Sequence, residues 1–68
     1  MDLMTKFLYQ SNYWYNDGLR RAGLRDMAGA VVSLRRSLKY NRSNVDARNL
    51  LGLVYYGYGE IGDALTQW

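Results

Sequence analysis

The sequence predicts an all-α fold of two antiparallel helix–turn–helix hairpins set side by side, the second truncated within its second helix. Three observations predict it. Apolar residues recur at three and four residues along most of the chain, the spacing that gathers them on one helix face. Gly and Asn interrupt that pattern at intervals, in a chain whose Pro count is 0. Third, residue types recur at a separation of 34: Gly18 and Gly52, Asp26 and Glu60, Ala30 and Ala64, and the bulky pair Leu34 and Trp68. The apolar run Leu50–Tyr56 would on its own read equally well as a buried strand. The repeat assigns it to a helix.

The first helix is expected from Leu3 to Ala22. Met4, Leu8, Ser11, Tyr15, Leu19 and Ala22 form its stripe, and Lys6, Tyr9, Tyr13, Asn16 and Arg20 its opposite face. Asp2 is the expected N-cap and Gly23 the expected stop. Asp26 caps a second helix, Met27 to Tyr40, with Met27, Ala30, Val31, Leu34 and Leu38 facing inward. Arg35, Arg36 and Lys39 suit the negative end of its dipole. Asn41 to Asn44 is a turn, and Ser43 with Asp46 has the spacing of a capping box. A third helix is expected from Val45 to Tyr56, ended by Gly57 and Gly59. Glu60 to Trp68 is a fourth, of about nine residues, too short to hold alone.

Composition removes whole classes of function. With 68 residues the chain is one domain at most. An apolar share of 49% argues for folding, and a chain this small needs a staple or a partner. Cys and His are both 0, so disulfides, thiolate or imidazole metal sites and His-dependent triads are excluded. No catalytic residue, metal ligand or cofactor is expected. Asp2, Asp26, Asp46 and Glu60 stand at helix starts, where they complement the dipole. Gly57-Tyr58-Gly59-Glu60-Ile61-Gly62 spells a dinucleotide-binding fingerprint, but only six residues follow it, far fewer than that unit needs. Nine Lys and Arg against six Asp and Glu give +3, and the cations read as solvated faces. Neither a secretory signal nor a membrane span is visible, so the expected location is the cytoplasm.

A 34-residue period with a Gly, an Ala 12 later and a bulky residue four beyond that resembles the tetratricopeptide repeat. Residues 1–10 are then a helical extension, 11–44 one repeat and 45–68 a partial second. Trp14, Gly18, Ala30 and Leu34 match the pattern in the first copy, and Leu51, Gly52, Tyr55, Ala64 and Trp68 in the second. The sequence departs from it at Asp17, Arg21, Arg42 and Arg48, which replace Leu, Tyr, Pro and Trp. Asp17 and Arg21 bear on how tightly the first hairpin closes, and their spacing of four lets them pair.

The resemblance implies a right-handed α-solenoid fragment whose first helices line a concave, partner-binding groove. The implied groove residues are Tyr15, Asn16 and Leu19 on the first copy, and Asn49, Leu50, Leu53 and Tyr56 on the second. Tyr15, Leu19 and Leu50 stand where some members carry a carboxylate clamp, so an apolar strip that takes a peptide or an amphipathic helix is expected instead. Met4 and Leu8 on the N-terminal extension are the alternative cover for that strip. Ile61, Leu65 and Trp68 lack a neighbouring repeat, so either the chain is a fragment of a longer protein or another chain covers them; the expectation is self-association as a homodimer, with exchange of helices as one route. The other reading is a single-stranded RNA-binding helical-repeat protein, with Arg and Tyr as the stacking set. No Lys or Arg falls on the implied groove positions, so nucleic acid is not the expected partner.

Overall fold

Three helices make up nearly all of the chain: α1 (Leu3–Gly23), α2 (Met27–Tyr40) and α3 (Val45–Gln67). The computed structural model describes the backbone of residues 2–67 and the side chains of residues 2–57. The stretch Leu50–Tyr56 is helical, which removes the strand alternative.

Asp2 caps α1 as expected, its carboxylate accepting from the Thr5 N–H at 2.7 Å. The helix ends one residue later than the sequence suggests, and Gly23 is not its stop. The Asp26 N–H donates to the Arg21 carbonyl at 2.9 Å and the Arg25 N–H to the Ala22 carbonyl at 3.0 Å. That pair of bonds is a Schellman motif with Arg25 in the left-handed position, at φ 61°. Gly23 lies two residues too early to supply the turn. Asp26, the last residue of the motif, also begins α2 by accepting from the Gly29 N–H at 3.0 Å. One residue thus closes one helix and opens the next, which sets α1 and α2 antiparallel.

The cap of α3 is likewise displaced from the sequence reading. Asn44, not Ser43, accepts from the Ala47 N–H at 3.0 Å. Asn41 instead folds the turn, its side chain accepting from the Ser43 N–H at 3.1 Å.

The largest difference lies in α3. The turn expected at Gly57–Gly59 and the separate fourth helix are not formed, because α3 continues through both glycines to Gln67. The physical reason is that glycine weakens a helix by only about 1 kcal/mol relative to Ala and keeps its N–H. Only proline would remove the donor, and this chain has 0. The result is three helices in which α2 packs against both α1 and α3.

Among the described residues the buried apolar ones are Ala30, Leu34, Ala47 and Val54. Tyr15, Ala22, Met27, Val31, Leu38, Leu50 and Leu51 pack around them half-buried. Gly18 makes the closest approach: a Cβ there would lie 2.7 Å from Cγ and Cδ2 of Leu34. The missing side chain is what lets α2 seat against α1. The equivalent Gly52 has nothing within 4 Å. Because α2 is shorter than either neighbour, α1 overhangs one end of it and α3 the other. The molecule is 53 Å long with a radius of gyration of 13.5 Å, against about 11 Å for a compact chain of this length. Residues 2–10 are exposed throughout. Met4 and Leu8, at 68% and 43% exposure, do not serve as a lid.

Candidate functional site

Two polar clusters position the helices. In the first, the Asp17 carboxylate accepts from Arg20 at 2.9 Å, from Arg21 at 2.8 Å, and from the Ser33 hydroxyl on α2. Arg21 reaches on to Asp26 at 2.9 Å. The Asp17–Arg21 pair is as the sequence predicts. The bond to Ser33 crosses the hairpin, so Asp17 ties α1 to α2. The Ser33 hydroxyl first, then Arg21 and Arg20, hold the Asp17 carboxyl well below the usual carboxylate range. Asp26 is lowered by the Gly29 N–H and then by Arg21. The guanidinium of Arg21 is raised by Asp17 and Asp26.

The second cluster is buried. The Ser37 hydroxyl donates to the Ser11 carbonyl at 2.7 Å, which leaves the Ser11 hydroxyl to donate to Ser37 Oγ at 3.1 Å. Asn44 Nδ2 donates to both, at 3.0 Å to Ser11 and 3.3 Å to Ser37, while its Oδ1 caps α3. One small network joins all three helices. Among the described residues no buried side-chain donor or acceptor is left without a partner. The sequence reading placed Ser11 on the α1 stripe but missed Ser37. The available signal was two small polar residues in phase with the buried faces of adjacent helices.

The expected groove residues lie on α1 and α3. Leu19, Leu53 and Tyr56 are open to solvent at 48%, 67% and 67% exposure. Asn16 and Asn49 are exposed as well. Asn16 borders a shallow depression with Tyr13, Asp17 and Arg20, all on α1. Tyr15 and Leu50 are half-buried and pack against the core, so they support the surface more than they display it. The expected self-association residues Ile61, Leu65 and Trp68 lie outside the described side chains.

Sequence reasoning missed a second surface. Arg35, Lys39, Arg42 and Arg48 surround an open hollow of about 390 Å³ whose floor is Leu38 and Leu51. Arg35, Lys39 and Arg42 are spaced four and three apart, the step that puts them on one side of α2 and its turn. Arg48 is anchored there by a 2.6 Å bond from its Nη2 to the Arg42 carbonyl. Among the described residues no carboxylate pairs with these four cations. Nearby, Arg36 stacks over the Trp14 ring at 4.7 Å.

Among the described residues no three acidic groups gather to hold a metal ion, and no helix is long and apolar enough to cross a membrane. No family model matches this chain, and neither a curated protein nor a solved structure matches it.

Proposed function

We propose that this chain is a non-catalytic, cytoplasmic protein-interaction module of tetratricopeptide type that takes a peptide or amphipathic helix against the exposed apolar residues of α1 and α3. A single observation carries the reading. Leu53 and Tyr56, three residues apart on α3, are each 67% exposed, while among the described residues the buried apolar ones are Ala30, Leu34, Ala47 and Val54. Large side chains left open on a small fold mark a surface that gains stability when another chain covers it. The contrast between Gly18, closed by Leu34, and Gly52, with nothing within 4 Å, supports a repeat whose second unit lacks its own covering helix. The continuous α3 lacks the turn that would fold the predicted fourth segment back, which fits an exchange of helices between two copies.

The test uses the full chain and a displayed library of amphipathic helical peptides. Selected binders are expected to lose at least about tenfold in affinity on Leu53→Glu, with helical circular dichroism unchanged. A library that yields no binder, or binders indifferent to that change, removes the reading. Light scattering at micromolar concentration reads the self-association directly, and a uniform monomer removes that part of it.

A further inference from the structure

We propose that the hollow between the C-terminal half of α2 and the start of α3 binds an acidic peptide segment that carries an apolar side chain between its carboxylates. This rests on the reading of the chain as a protein-interaction module but uses a separate face. The chemistry of the lining chooses the ligand. Arg35, Lys39, Arg42 and Arg48 bring four positive charges to one rim, and among the described residues no acid neutralises them. Each exposed charge alone is well solvated, but four around one concavity raise the local concentration of an anion.

Dipole complementarity explains only part of the cluster. Lys39 lies in the last turn of α2, where a cation is stabilising. Arg48 lies in the first turns of α3, where a cation faces the positive end of the dipole. Its side chain is nevertheless drawn back over the turn by the Arg42 carbonyl, toward the other three. That bond uses one guanidinium N–H and leaves the others for a ligand oxygen.

The floor separates a peptide from a nucleic acid. Leu38 and Leu51 are half-buried, and among the described residues no aromatic ring lines the hollow. Single-stranded nucleic acid is held by aromatic platforms beside a cationic track, and here only the track is present. An apolar floor inside a cationic rim complements a short segment with Asp or Glu on either side of a Leu-like residue. Arginine's planar fork matches the two oxygens of each carboxylate.

The test measures fluorescence anisotropy of a labelled peptide, Glu-Glu-Leu-Glu-Glu flanked by Gly and Ser, on the full chain at two salt concentrations. Binding is expected at low salt, weaker at high salt, and weaker by roughly tenfold or more on Lys39→Glu or Arg48→Glu. Lys39→Glu guards against the chance that Arg48→Glu disturbs the turn through its bond to Arg42. Replacing the peptide's Glu by Gln, or its Leu by Gly, is expected to weaken binding as well. Leu53→Glu, on the other face, is expected to leave it unchanged, so failure here and failure of the groove are read separately. Absence of binding at low salt overturns the proposal, as does binding indifferent to both charge reversals. Capture of oligouridylate in preference to the peptide overturns it in favour of a nucleic-acid site.

Discussion

At the residue scale, Arg25 and Asp17 show how a single position can oppose or reinforce the fold. Arg25 holds φ 61° at the C′ position of the Schellman motif, where a side chain costs about 1–2 kcal/mol. It is exposed, and among the described residues no ion pair offsets that cost. Arg25→Gly is therefore expected to raise stability by about 1 kcal/mol, less the entropy glycine loses on folding. A denaturant titration checks it, and a fall in the midpoint would show that the arginine makes a stabilising contact. Asp17 acts in the opposite sense. Its carboxyl, like those of Asp26 and Asp2, ionises more readily in the folded chain than in the unfolded one. The stability this contributes is complete above the unfolded value near 4 and is lost as pH falls below it. Asp17→Asn is expected to lower stability at neutral pH and to make the loss between about pH 5 and pH 2 shallower. An equally steep acid transition in the variant would move the effect to other carboxyls.

At the element scale, the helices were legible in the sequence because their apolar residues follow a helical period, although Met4, Leu8 and Leu19 of the expected α1 stripe are exposed. Ala30 and Leu34 fall where the α2 stripe predicts, and Tyr9, Tyr13 and Asn16 stay outside as expected. The ends were less legible. Gly23 and Ser43 have suitable chemistry for stopping and starting helices, but Arg25 and Asn44 take those roles through geometry that extends over several residues. The turn at Gly57–Gly59 failed for a related reason: glycine permits a break but does not require one. Contacts between helices were the least legible, since no periodicity announces that Ser11 meets Ser37 or that Arg48 swings back to Arg42. Helix pairing depends most on Leu34, fully buried against Gly18. Leu34→Ala is expected to cost about 2–5 kcal/mol, read by thermal or denaturant unfolding. Ser37→Ala leaves the Ser11 hydroxyl without its acceptor near the core, while Asn44 Nδ2 keeps its bond to Ser11, and the change is expected to cost about 1–3 kcal/mol. A loss much smaller than that would mean the network re-forms without Ser37.

At the scale of the whole molecule, the two glycines 34 residues apart stand in different surroundings. Gly18 is buried, and its substitution by Ala would drive a methyl group into Leu34 at 2.7 Å. That overpacking is expected to cost about 1–3 kcal/mol. Gly52 is exposed inside α3 with nothing within 4 Å, so Gly52→Ala is expected to stabilise the helix by about 0.5–1 kcal/mol. The opposite signs hold only while α3 is unbroken and its Gly52 face is open. If the segment after Gly57 folded back to complete a second hairpin, Gly52 would meet a bulky residue as Gly18 meets Leu34, and both substitutions would destabilise. If that segment came from a second copy instead, the loss at Gly52 would grow with protein concentration, because covering would then be bimolecular. Unfolding both variants at two protein concentrations separates these three arrangements. A stabilised Gly52→Ala supports the open α3, a concentration-independent loss supports a closed second hairpin, and a concentration-dependent loss supports exchange between chains.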